Sequence, residues 1–161
     1  MKKTPLWLAA AFLFIGGLEG TRYVAYPDVI GVWSICQGET LNVHEGDTAT
    51  KEQCDAKLYA RILQFDAELS RCLPDNYKTP GTRRVAFVSL AYNCGSAAVC
   101  NSSIPQKLRA GNVAAACETI LDFNRVCVER TADGKCVKKK AIQGLTNRRI
   151  KERELCLQDA K

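Results

Sequence analysis

The chain has one histidine, His44, in 161 residues, and none of its nine cysteines forms a C-x-x-C pair. Zinc centres are usually assembled from such close pairs together with histidines, so neither a metal site nor any other cofactor is expected. No repeat, low-complexity tract or long linker divides the chain, and its length suits one domain around a single core. The main basic residues, Lys135 to Lys140 with Arg148, Arg149, Lys151 and Arg153, are not interleaved with aromatics and carry no nucleic-acid motif. That argues against nucleic acid as a partner.

What is present points outward from the cell interior. Nine cysteines suit disulfides in an oxidising compartment, with one thiol left over. The net charge of +6 suits a polyanion such as an anionic membrane surface or a wall polymer carrying carboxylates. Lys2 and Lys3 precede an uncharged, largely apolar stretch from Thr4 to Leu18, the order of a secretory signal or signal anchor. That stretch falls short of the ~20 residues a comfortable membrane-spanning helix needs. An ordinary buried first helix is the other reading, and the two are compatible.

Glycine at Gly20 is a natural stop for that helix. Alternation at Val32, Ser34 and Cys36, punctuated by Gly31 and Gly38, suggests a short twisted hairpin. A capping box, Thr50-x-x-Gln53, opens a helix with Cys54, Leu58, Ile62, Phe65 and Leu69 as its apolar stripe. After a loop between Pro74 and Pro80, helices follow that end near Cys94-Gly95, at Gly111, and beyond Ile120 and Leu121. Residues 126–141 read as a hairpin turning at Ala132-Asp133-Gly134 and flanked by Cys127 and Cys136, and a last helix opens at Thr146. The expected class is α+β, mostly helical, with a small N-terminal antiparallel sheet and a helical C-terminal lobe.

Cleavage of a glycosidic bond needs an acid to protonate the leaving oxygen and a carboxylate on the other side. Residues 17–38 offer such a pair. Glu19 ends an apolar helix, where low polarity favours the neutral, proton-donating acid, and Asp28 sits at the wetter first turn of the sheet. Ser34, further along the hairpin, carries a hydroxyl able to hold a water.

The spacing Glu19-Gly20, then Asp28, then Ser34 resembles the catalytic signature of phage-type lysozymes, the endolysins and prophage lysozymes of glycoside hydrolase family 24. The stretch Ala-Phe-Val-Ser-Leu-Ala-Tyr-Asn-Cys-Gly up to Gly95 resembles the family's central helix. Phe123-Asn124-Arg125, Gly144-Leu145, Asn147-Arg148-Arg149 and Glu154-Leu155-Cys156 resemble its C-terminal lobe. The resemblance covers nearly all of the chain from Gly17 onward and is similar in kind to the membrane-exported (signal-arrest-release) endolysins.

The resemblance implies a lysozyme-like fold and hydrolysis of the β-1,4 bond between N-acetylmuramic acid and N-acetylglucosamine in peptidoglycan. Glu19 would be the general acid, Asp28 the carboxylate opposite, and Ser34, in the family's usual threonine position, the group that helps place water. Arg148 stands where an arginine characteristically pairs with the glutamate, and Tyr23, Tyr26 and Asn93 are candidate cleft-lining groups. Relatives commonly have Val within the Tyr-Asn-x-Gly run, so Cys94 is expected to replace a buried apolar side chain and stay reduced. Cys72 then pairs with Cys100, while Cys36 with Cys54, Cys117 with Cys156 and Cys127 with Cys136 complete the set. The Cys127–Cys136 hairpin is an insertion where many relatives have a short loop.

The expected organisation is an export or anchor segment, residues 1–18, doubling as the first helix, followed by a catalytic domain, residues 19–161. Losing that helix would misplace Glu19, so an uncleaved segment is expected, held transiently at the bacterial inner membrane before the enzyme, a monomer, enters the periplasm. Two other readings compete: a peptidoglycan-binding protein with impaired catalysis, and a disulfide-stapled protein that disrupts bilayers.

Overall fold

A computed structural model describes residues 4–28 and 31–158, so Lys2 and Lys3 lie outside the described residues. Helix α1 (Leu6–Glu19) turns Leu8, Ala11 and Ile15 into the core, the three- and four-residue spacing of one helix face. Its opposite side leaves Leu6 and Leu13 largely exposed, and no charge interrupts the helix before Glu19.

Strands β1 (Arg22–Pro27) and β2 (Trp33–Cys36) pair antiparallel with Tyr26 opposite Ser34. The alternation expected at Val32, Ser34 and Cys36 is not kept, because Ser34, Ile35 and Cys36 are all buried. Successive strand residues point to opposite faces, so β2 is covered on both. Ile35 and Cys36 form a small second core with Cys54, flanked by Val43 and Ala49.

Helix α2 (Lys51–Leu69) opens with the expected capping box: the Thr50 hydroxyl accepts from Gln53 N at 3.3 Å, and Gln53 Oε1 accepts from Thr50 N at 2.8 Å. Cys54, Leu58, Ile62 and Leu69 are buried as expected, but the buried polar place in the stripe belongs to Asp66, with Phe65 only half-buried. Tyr77, in a tight turn at Asp75–Tyr77, is fully buried and its hydroxyl donates to Asp66 Oδ1 at 2.9 Å. Helix α3 (Gly81–Cys94) is buried continuously from Val85 to Ala91. A helix covered on all sides is the centre of its fold, and α1, α2 and α7 pack around it.

The C-terminal lobe continues with α4 (Ser96–Cys100), α5 (Ile104–Arg109) and α6 (Val113–Glu118). The inward residue Ile120 falls in a 3-10 segment, Thr119–Phe123, rather than in α6. Strands β3 (Arg125–Arg130) and β4 (Cys136–Ala141) form the second hairpin. Helix α7 (Gln143–Leu157) starts three residues before Thr146, whose own N–H already makes a helical bond to the Ile142 carbonyl at 2.9 Å. Disulfides join Cys36–Cys54, Cys72–Cys100, Cys117–Cys156 and Cys127–Cys136, and Cys94 keeps its thiol, the pairing expected. The architecture is α+β: mostly helical, with two small antiparallel sheets.

Candidate active site

Glu19 is the last residue of α1, and Gly20 after it has φ 68° and ψ 172°. Residues with a Cβ essentially do not adopt that conformation. The Glu-Gly pair therefore stops the helix abruptly and turns the chain into β1, leaving the carboxylate at the helix end with 21% of its side chain exposed.

Glu19 Oε1 accepts a hydrogen bond from Arg148 Nη1 of α7, and Oε2 has no hydrogen-bond partner among the described residues. Arg148 is itself buried, and its Nε donates to Glu152 Oε1 at 3.0 Å. Glu152, with no exposed surface, also receives the Ser89 hydroxyl at 2.6 Å and Arg149 Nη2 at 3.0 Å. Arg149 Nη1 in turn donates to the Phe123 carbonyl at 3.3 Å.

Two carboxyl groups and two guanidinium groups thus form one connected, largely buried array. Desolvating each ion costs several kcal/mol unless partners surround it, so every member depends on the others. Burial pulls the Arg148 guanidinium down, but Glu19 and Glu152 outweigh it and hold the group above its ordinary value. For Arg149 burial prevails, and the group lies below its ordinary value. Arg148 is the residue expected from the sequence, whereas Glu152 is not among the expected site residues. The signal was there in the spacing, since Glu152 lies four residues after Arg148 and three after Arg149 on one helix.

The first hairpin carries the other candidates. Asp28 directly follows β1 and is half-buried; its Oδ1 accepts from Val32 N at 2.9 Å, and its own N–H donates to the Val32 carbonyl at 2.9 Å. The turn therefore fixes the carboxylate it displays. Ser34 is 3% exposed, and its hydroxyl donates to the Val32 carbonyl over a long 3.4 Å. Tyr26, opposite Ser34, lies beneath the Arg22 guanidinium at 4.3 Å. Tyr23 is exposed and borders a shallow recess with Phe12, Gly17 and Lys51. Asn93 is exposed near the end of α3, and no hydrogen bond among the described residues ties it to the other candidates.

Two further contacts frame the hairpin. The Tyr92 hydroxyl of α3 donates to the Gln37 carbonyl at 2.9 Å. Burial first, then the charges of Glu19 and Glu39, push its phenol well above the ordinary value. Arg61 grips Glu39 with both Nε and Nη2, at 2.9 and 2.8 Å, while Leu41 N donates to the same carboxylate at 2.8 Å. Burial raises the Glu39 carboxyl, but these donors prevail and hold it below its ordinary value.

The mostly helical fold with its small antiparallel hairpin is that of the lysozyme-like class of hydrolases. The phage lysozyme family model matches residues 16–152. The chain is 33% identical over 142 residues to the SAR-endolysin of Enterobacteria phage P21, covering 88% of this chain and 78% of the relative. It is 34% identical over 154 residues to the SAR-endolysin of Pseudomonas phage phiKMV, covering 94% and 88%. Among solved structures, the endolysin from Escherichia coli O157:H7 phage FAHEc1 superposes with a TM-score of 0.78 at 28% identity, covering 100% of this chain and 96% of that one. The chain belongs to the phage lysozyme family. It is a lysozyme, a muramidase that hydrolyses peptidoglycan.

Proposed function

We propose that this lysozyme cuts the β-1,4 bond between N-acetylmuramic acid and N-acetylglucosamine, with Glu19, Asp28 and Ser34 as its reacting groups. The observation that carries the assignment is the Arg148–Glu19 contact: one carboxylate oxygen is held, and the other is left to face a substrate. Glu19 donates a proton from Oε2 to the leaving glycosidic oxygen. The Asp28 carboxylate stabilises the positive charge that develops on the sugar, and the Ser34 hydroxyl helps to place the attacking water. Arg148 positions Glu19 through its hold on Oε1. Tyr23, Tyr26 and Asn93 belong to the substrate cleft.

The route to the substrate is part of the same reading. Helix α1 is 14 residues long, about 21 Å at ~1.5 Å per residue, against a hydrocarbon core of ~30 Å. No described helix is long and apolar enough to cross a membrane. Residues 4–18 then hold the inner membrane only transiently, remain uncleaved, and pack as α1 when the enzyme, a monomer, reaches the periplasm. The exposed side of α1, uncharged and carrying Leu6 and Leu13, supports this account.

The test is Glu19→Gln, which keeps size and removes the acid. Clearing of purified, membrane-free cell walls should fall by at least ~10²-fold, with the fold intact by circular dichroism. Near-normal clearing by this variant would defeat the assignment of Glu19 as the acid, whereas wild type that clears nothing would favour the rival reading, a peptidoglycan-binding protein with impaired catalysis.

A further inference from the structure

Among the concavities outside the residues assigned above, one carries an excess of cationic side chains. It has a volume of about 490 Å³ and sits where the second hairpin meets the helical lobe, lined by Cys94, Ser103, Thr119 and Phe123 together with Arg125 of β3 and Lys139 of β4. The strand register pairs Arg125 with Ala141 and Cys127 with Lys139. Arg125 and Lys139 are therefore diagonal neighbours on one face of the ribbon, and both turn into the cavity. Neither forms an ion pair among the described residues. A third cation stands behind the wall, where Lys107 Nζ donates to the Thr119 hydroxyl at 2.6 Å. One carboxylate, Asp122, also lines the cavity, which leaves an excess of positive charge.

The cavity is linked to the catalytic glutamate. Phe123 lines it, and the Phe123 carbonyl accepts from Arg149, which shares Glu152 with Arg148, the residue that holds Glu19. Cations that form no ion pair within the protein keep all their donors for an incoming anion. Peptidoglycan carries such anions close to every cleavage site, as the carboxylates of the short peptides attached to its muramic acid units. A peptide of four residues reaches up to ~13 Å at ~3.3 Å per residue.

We infer that Arg125 and Lys139 form a carboxylate-binding subsite for the wall peptide of peptidoglycan, supplied by the disulfide-closed hairpin. The inference rests on the muramidase reading and adds a recognition element to it: the glycan is cut by Glu19, and the peptide beside the cut is held by the hairpin. Both residues are exposed, so the gain is in substrate capture and not in the chemical step.

The test uses the full chain on two substrates: intact, peptide-bearing walls, and glycan strands freed of their peptides by an amidase. The variants are Arg125→Gln/Lys139→Gln and, as a charge-matched control in the same hairpin, Lys135→Gln/Lys138→Gln. On peptide-bearing walls the first pair should raise the half-saturating substrate concentration roughly fivefold, the net worth of one ordinary hydrogen bond, as suits exposed groups, and leave kcat unchanged. The control should stay within twofold, and on peptide-free glycan both should match wild type. Equal losses for the two pairs would reduce the effect to bulk charge and overturn the subsite. So would equal losses by Arg125→Gln/Lys139→Gln on both substrates, or no loss at all. Wild type that releases no reducing ends from either substrate would instead overturn the muramidase reading beneath it.

Discussion

The guanidinium of Arg84 lies 3.6 Å from the ring centroid of Trp7, and the same group is locked onto Asp66 by Nε at 2.8 Å and Nη2 at 2.6 Å. Asp66 is fixed in turn by the Tyr77 hydroxyl at 2.9 Å. A cation aimed by a buried carboxylate thus seats the first turn of α1 on α3, and Gly81 lets it approach, since a Cβ there would stand 3.3 Å from Trp7 Cβ. The helix that carries Glu19 at one end is clasped at the other.

Removing either partner should loosen that clasp. In urea titrations, a double-mutant cycle of Trp7→Leu and Arg84→Met should give a coupling of about 1–2 kcal/mol, as for a desolvated cation–aromatic pair. Additive losses would mean that Trp7 contributes only apolar area.

Glu152 should matter more to stability than its distance from substrate suggests. Replacing it with Gln leaves Arg148 and Arg149 buried with one carboxylate, Glu19, for two cations. The expected loss is about 3–5 kcal/mol, seen as a lower urea midpoint. Glu152→Asp should recover part of that stability. Activity measured where Glu152→Gln is still folded should fall in kcat more than in KM, because Arg148 no longer aims Glu19.

The Glu39–Arg61 pair sets a pH dependence. The folded-state value of Glu39 lies below its ordinary 4.5, so the unfolded chain takes up this proton first as pH falls. The contribution is therefore present above about 4.5 and is lost as pH drops through the lower folded-state value. Glu39→Gln should flatten the acid limb of stability below about pH 5, measured by urea midpoints at each pH. An unchanged limb would count against the pairing.

Cys94 should be chemically quiet. Its Sγ contacts the Leu90 carbonyl at 3.0 Å, and burial pushes the thiol up to about 11. The thiolate is the reacting form, so iodoacetamide at pH 7.5 should label the native protein slowly. One equivalent should react promptly once the chain is unfolded without reductant. Rapid native labelling would show that the thiol is not shielded.

Much of the architecture is legible in single stretches of sequence because its causes are local. Thr50 and Gln53 cap their own helix, Gly20 ends α1 by its backbone alone, and Ala132-Asp133-Gly134 turns its own hairpin. The spacing of Glu19, Asp28 and Ser34 is equally local, because one helix end and one hairpin supply all three. Tertiary structure decided what depends on neighbours from elsewhere in the chain. Ile35 is buried because Cys54, Val43 and Ala49 cover the strand's second face, and Asp66 is buried because Arg84 and Tyr77 meet it there. Which oxygen of Glu19 is held, and that Glu152 anchors the arginine holding it, follow from α3 and α7 packing with Ser89 against Arg148 and Glu152. Ionic groups in a dry interior are stable only as a closed set, and that set is assembled from α1, α3 and α7, whose meeting no local sequence pattern records.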